Sequence, residues 1–263
     1  MAITYEKDDV FGPEQKKQLE EWASMNRIKQ IEVNELGELL IRDSRMLLTY
    51  KTWVKDNGTY KIPFKIAQAK NLSITSIQDN IENFKECFPK SILGDIMVAA
   101  GKMPAGLTDL SFLSWNDTFP SDVVITANKG LLSLNGCPQE VENLEISRNG
   151  DLASLSGISN TIGTSLTIVV NPKITSLHNI HKHIKHVERI VIDGCIQSNI
   201  LGLLMIDGLI EVGLDHAGRG ASTQLRDAIK CINKYLESDV NTTSMIECHE
   251  ELLELGLKQY ARL

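Results

Sequence analysis

Four of the six histidines of this chain fall in one short segment, HNIHKHIKH: His178, His181, His183 and His186. Imidazole is a good ligand for zinc, copper or nickel, and side chains three apart share one face of a helical turn. No carboxylate stands at ligand-like spacing within the segment, and Cys195 lies beyond the next short strand. Together with Lys182, Lys185 and Arg189, the histidines otherwise form a basic contact patch whose charge changes between about pH 5 and 8, or a plain solvated surface. The expectation is no metal and no cofactor. A second candidate is the loop GLDHAGRGAST, with Gly213, Gly218, Arg219 and Gly220 ahead of a helix whose N-terminal N–H groups suit a phosphate. A phosphate-binding loop needs Lys and then Ser or Thr after its last glycine. Here Arg219 precedes Gly220, so a plain connection to the helix is the simpler reading.

No HExxH, GxSxG, GxGxxG or DxDxDG pattern is present. Acidic pairs such as Glu20-Glu21 and Glu250-Glu251 read as solvated helix faces. Five cysteines, Cys87, Cys137, Cys195, Cys231 and Cys248, are odd in number and widely spaced, which points to reduced thiols. The reading is of a chain without catalytic activity.

The elements that carry these residues repeat. LLSLNGCPQEVENLEISRNGD begins at Leu131, LASLSGISNTIGTSLTIVVNPK at Leu152 and ITSLHNIHKHIKHVERIVIDGCI at Ile174. They align as L-x-S-L-x-G-x-x-x-x-[VI]-x-x-L-x-I-x-x-N at about 21–24 residues per unit. Leu134, Leu155 and Leu177 share a slot, as do Val141, Ile162 and Ile184. The pairs Leu144/Ile146, Leu166/Ile168 and Ile190/Ile192 are alternations of the kind that make very short strands with one buried face. Asn149 and Asn171 close two units, and Cys195 stands near the equivalent point of the third. Decayed copies precede them at Leu107/Leu110 with Val123-x-Ile125 and Asn128, and at Ile74/Ile77 with Ile96-x-Val98. Phe64-x-Ile66 and Leu39-x-Ile41 are more degenerate still. One unit cannot bury its own apolar face, so the copies must stack.

The run LLSLNGCPQEVENLEISRN resembles leucine-rich repeats, in the irregular L-T-S-L-x-G-C-P-x-x-V form of proteins of tailed bacteriophages and prophages. The resemblance covers about residues 61–212, and SNILGLLMIDGL and CHEELLELGLKQYARL are similar to the closing segments of that group. It implies an α/β fold, a solenoid of short parallel strands. It implies architecture rather than a reaction.

A stack needs ends. Residues 1–60 read as an N-terminal helix/strand cap, with a helix over PEQKKQLEEWASM: Pro13 at its first position, Glu14 in its first turn, and Leu19, Trp22 and Ala23 as its apolar stripe. Residues 30–54 look strand-rich, with a turn at Asp56-Asn57-Gly58. Residues 213–263 read as a C-terminal helical cap. Its first helix carries Leu225, Ile229, Ile232 and Leu236. Its second, capped by Thr242 or Thr243, carries Met245, Ile246, Leu252, Leu253, Leu255 and Leu257.

The outward positions of the strands are unusually apolar. One row reads Lys65, Met97, Val124, Glu145, Thr167, Val191, and the next reads Ala67, Ala99, Thr126, Ser147, Val169, Asp193. A contiguous apolar patch marks a contact surface, unless a cap segment folds over it. The sites expected to touch a partner are therefore Lys65, Met97, Val124, Glu145, Thr167, Val169, Val191 and Asp193.

The charge of −7 argues against nucleic acid. The longest apolar run, Ile200 to Ile206, stops at Asp207, too short for a membrane span. The start, MAITYEKDD, lacks the pattern of a secretory signal. Aromatic residues make up only 5%, so Leu, Ile and Val must fill the core. The expected role is protein binding, with a host or phage protein as partner, in the host cytoplasm. The alternative is an accessory subunit of a capsid or tail, with self-association.

Overall fold

The computed structural model describes residues 1–7, 10–42, 46–48, 54–56, 59–61, 63–75, 89–103, 106–113, 120–215, 220–237 and 240–262. Along the chain run β1 (Ala2–Tyr5), α1 (Pro13–Met25), β2 (Gln30–Val33), β3 (Leu39–Ile41), β4 (Met46–Leu48), β5 (Val54–Asp56), β6 (Thr59–Lys61), β7 (Ile66–Ala69), β8 (Leu72–Ile74) and β9 (Ser91–Ile92). Then come β10 (Ile96–Val98), β11 (Gly101–Lys102), β12 (Asp122–Thr126), β13 (Asn128–Lys129), β14 (Glu140–Ser147), β15 (Thr161–Val169), α2 (Ile180–His183), β16 (Arg189–Ile192), β17 (Glu211–Leu214), α3 (Thr223–Leu236) and α4 (Thr242–Glu254). The fold is α/β with parallel sheets and no closed barrel among the described residues.

Eight strands form one parallel sheet in the order β17-β16-β15-β14-β12-β10-β8-β4. Register partners on neighbouring strands are 21–27 residues apart, so each pass of the chain adds one strand beside the last. The inward side chains of the short strands stack along the sheet: Leu72/Ile74, Ile96/Val98, Val123/Ile125, Leu144/Ile146, Leu166/Ile168 and Ile190/Ile192 are all fully buried. Leu110, Leu131/Leu134, Leu152/Leu155 and Ile174/Leu177 meet them from the return side. Every slot takes a medium-sized aliphatic side chain, which accounts for the low aromatic content.

The sequence register needs two corrections. Val141 pairs with Ile162 in the ladder, and Thr161 bridges His186, which makes Val187, not Ile184, the third member of that slot. The short helix α2 lengthens the third unit and shifts the register, and Ile184 is nevertheless buried. Phe64-x-Ile66 and Leu39-x-Ile41 do not precede β10 in the same sheet. Ile66 and Leu39-Ile41 belong to a second, five-stranded sheet in the order β1-β2-β3-β7-β9, and β8 and β4 are the strands that extend the eight-stranded one. Ile74 lies within β8, and Ile77 falls outside the described residues. Between residues 39 and 98 the strands of the two sheets alternate along the chain, and the longer β14 and β15 of the eight-stranded sheet pair with a register shift between Val141 and Asn143.

At the N-terminal end α1 buries Leu19, Trp22 and Ala23 against the five-stranded sheet. Pro13 opens it, and Gln15 Oε1 accepts the Gly12 N–H (3.2 Å). Trp22 meets Phe64 edge-on at 5.6 Å, and Phe64 continues to Phe11 at 6.0 Å. Trp53, Trp115, Cys87 and the turn residues Asn57-Gly58 lie outside the described residues, although β5 and β6 pair antiparallel on either side of that turn.

At the other end α3 is capped by Ser222, whose Oγ accepts the Leu225 N–H (3.1 Å). The cap of α4 is Asn241 rather than a threonine, with Oδ1 accepting from Thr243 N (2.8 Å) and Ser244 N (3.1 Å). The α3 residue Asn233 does a further job. Its Oδ1 accepts the Val212 N–H (2.8 Å) and its Nδ2 donates to Val212 O (2.9 Å). One side-chain amide thus stands in for the next strand and closes the exposed edge at β17. The sulfurs of Cys231 on α3 and Cys248 on α4 lie 3.8 Å apart and unbonded in the buried seam between the two helices.

Candidate functional site

Three asparagines hold successive corners of the stack. Asn128 Oδ1 accepts the Ala100 N–H (2.8 Å), and its Nδ2 donates to Val98 O (2.9 Å) and to Asn149 Oδ1 (3.0 Å). Asn149 repeats the pattern one pass on: its Oδ1 also accepts the Asn128 N–H (3.1 Å), and its Nδ2 donates to Ile125 O (2.9 Å). Asn171 Oδ1 takes the Asn149 N–H (3.0 Å), and its Nδ2 reaches Ile146 O (2.8 Å). These buried amides satisfy backbone groups that water cannot reach. The residue before each, Ala127, Arg148 or Val170, has φ of 55–57°, which turns the chain sharply out of the strand.

That corner decides which outward residues stay open. Ser147, Val169 and Asp193 of the second row are buried, so Val169 and Asp193 are not available to a partner as the sequence suggested. Asp193 is 0% exposed and ends the amide ladder: its Oδ2 accepts Val170 N (2.6 Å) and its Oδ1 accepts Cys195 N (2.9 Å). The closing role expected near Cys195 is thus performed by a carboxylate two residues earlier. The spacing of the asparagines pointed to Cys195 and hid it.

The first row stays half-open. Register pairs run from Ser73 to Met97, Val124, Glu145, Thr167, Val191 and Gly213, one per strand. Each is half-buried, whereas the residues flanking it on its own strand are buried up to β16. At about 4.8 Å per strand this row is roughly 29 Å long. Lys65 is not part of it. It is exposed just before β7 of the other sheet, and its carbonyl accepts the Leu39 N–H (2.9 Å).

Two residues earlier on the strands lies a polar row: Asn71, Asp95, Asp122, Asn143, Ser165, Arg189 and Glu211. Asn143 Nδ2 donates to Asp122 Oδ1 (2.8 Å), Ser165 Oγ to Asn143 Oδ1 (2.8 Å), and Arg189 pairs with Glu211 (3.1 Å). Where the two rows meet β8, β10 and β12 there is a hollow of about 260 Å³.

Two of the four histidines pack against glycines of the next pass. His178 and His183 are exposed, and His181 and His186 are half-buried. The ring of His181 lies over Gly202, where a Cβ would stand 2.9 Å from Nδ1, and that of His186 lies over Gly208, where a Cβ would stand 2.3 Å from Cε1. Glycine at both positions makes room for rings sandwiched between successive passes. Burial first, then the charges of Lys182, His178 and His183, hold His181 below its ordinary pKa, and its buried Nδ1 has no hydrogen-bond partner among the described residues. No group of three or more His, Cys, Asp or Glu is placed to hold a metal ion among the described residues.

Cys137 is buried, and burial pushes its thiol up to about 11. It packs as a core side chain. Gly218 and Arg219 of the candidate phosphate loop lie outside the described residues. No helix among the described residues is long and apolar enough to cross a membrane. The sequence matches no family model and no curated protein, and the fold matches no solved structure.

Proposed function

We propose that this chain is a non-enzymatic leucine-rich-repeat scaffold, encoded by a phage or prophage, that recognises a host or phage protein with the open face of its eight-stranded sheet. The observation that carries the reading is the row Met97, Val124, Glu145, Thr167 and Val191, half-exposed along a ladder whose inward positions are buried. Strands β10, β12 and β14, pinned at their ends by Asn128, Asn149 and Asn171, supply a preorganised surface, and preorganisation lowers the entropic cost of binding. Hot spots cluster near the centre of an interface, in positions shielded from water by the contacts around them. The resemblance of the repeats to those of tailed-phage proteins supports the assignment of origin.

Replacing Val124 and Val191 together with Glu tests the reading. The double variant is expected to keep the melting temperature of the parent and lose at least tenfold in affinity for proteins captured by it. Unfolding of the variant would place those side chains in the core, and unchanged capture would move binding elsewhere.

A second reading, an accessory subunit of a capsid or tail, is favoured by the C-terminal end. Met205, Ile210, Ile246, Leu253 and Leu255 are all exposed there. Exposed apolar side chains on a terminal cap suit a permanent neighbour. If that reading holds, the purified chain self-associates, and Ile246→Ser with Leu253→Ser abolishes the association while Val124→Glu with Val191→Glu leaves it intact.

A further inference from the structure

The hollow at β8, β10 and β12 lies at one end of the open row. Its lining includes Ser73, Met97 and Val124 on one side and Asp95 and Asp122 on the other. At about 260 Å³ it is below the roughly 300–1,000 Å³ of small-molecule sites and has room for a single long side chain. Asp95 and Asp122 occupy equivalent positions on adjacent strands, both exposed. The strand spacing of about 4.8 Å therefore sets two like charges side by side. No described cation pairs with either of them. Asp122 Oδ1 accepts from Asn143 Nδ2 (2.8 Å) and Glu145 accepts from Ser147 Oγ (2.6 Å), both neutral donors, whereas Glu211 is ion-paired with Arg189. Two adjacent carboxylates with no described counter-ion thus stand at this hollow, directly beside apolar Met97 and Val124.

We propose that this hollow receives a lysine or arginine side chain of the docked protein, so that the partner's contacting segment is basic with apolar residues on either side. The inference rests on the docking role proposed for this face. Long basic side chains lay their methylene stems on apolar surface and keep the charged head in a polar setting. Here the stem lies along Met97 and Val124, and the head reaches the carboxylates of Asp95 and Asp122. Arginine fits best, because its planar fork can donate to two carboxylates at once.

The test uses the full chain and three fluorescein-labelled decapeptides, alternating leucine with arginine, serine or glutamate, followed by fluorescence anisotropy at low and high salt. The arginine peptide is expected to bind at least ten times more tightly than the serine peptide at low salt. Asp95→Asn with Asp122→Asn should bring the two within twofold, while Glu247→Gln with Glu254→Gln, an equal loss of charge on α4, should leave the advantage unchanged. Equal binding of the arginine and serine peptides would overturn the proposal, as would an equal loss in the α4 control. So would calcium ion alone binding at micromolar concentration and displacing the peptide, which would make the hollow a metal site. Loss of the arginine preference alongside intact dependence of capture on Val124 and Val191 would sink this inference and leave the docking role standing. Capture indifferent to those valines would sink the docking role itself.

Discussion

The passes from residue 120 to 215 and those before residue 100 bury the same kind of aliphatic row, yet they are held by different means. In the later passes one buried amide per corner, Asn128, Asn149 and Asn171, stitches each turn to the next and ends on Asp193. Before residue 100 the strands are at most four residues long and are divided among separate sheets, and one aromatic group, Trp22 of α1 with Phe64, Phe11 and Tyr5, joins α1 to the strands. A regular stack distributes its stability over identical joints, each indispensable to its neighbours. A capped end concentrates it in a few large side chains.

The contrast can be broken at either region. Asn149→Ala removes the acceptor of the Asn128 N–H and the donor to Ile125 O, both buried. At about 1–3 kcal/mol for each group left unsatisfied, the expected loss in urea unfolding is about 3 kcal/mol, with protection from hydrogen exchange reduced in β12, β14 and β15 together. A loss below about 0.5 kcal/mol would show that the ladder is decoration. Trp22→Leu is expected to cost about 2 kcal/mol, with loss of exchange protection confined to β1, β2 and β3. An equal loss in β14 and β15 would make the two regions one cooperative unit rather than two.

The smallest effect is one of pH. The pKa of His181 is held below its ordinary value mainly by burial, so the unfolded chain binds its proton more readily than the folded one. The stability that the neutral ring supports is fully present above about pH 6.5 and is lost as pH falls below it toward the lowered folded value. Wild-type protein should therefore lose more stability between pH 7.5 and 5.5 than His181→Gln does in parallel urea titrations. Equal slopes would show that the ring is solvated in solution.

What the sequence disclosed follows the same division. Residues 131–196 repeat closely enough that most slots, strands and corners could be assigned from spacing, because the passes are of similar length and two successive joints carry the same residue type, Asn149 and Asn171. Two places failed there for a physical reason: α2 lengthens one pass and moves the slot from Ile184 to Val187, and the ladder ends in Asp193 instead of an asparagine. Before residue 100 the passes vary in length and alternate between sheets, so an aliphatic pair such as Leu39/Ile41 looks the same whichever sheet it joins. Asn233 was hidden because a polar residue on a helix ordinarily faces water, and only the tertiary fold brings it against β17. Of the proposed contact residues, Met97, Val124, Glu145, Thr167 and Val191 came together in one row. Lys65 was lost to the sheet assignment, and Val169 and Asp193 to the left-handed corners.

The central claim is that the half-open row is where another protein sits. Site-specific photocrosslinking addresses it directly, with benzoylphenylalanine placed at position 124 and, as a control on the return side, at exposed position 154. The account predicts one discrete crosslinked protein from position 124, competed away by unlabelled wild-type chain, and none from position 154. The same crosslinks from both positions, or from position 154 alone, would contradict it.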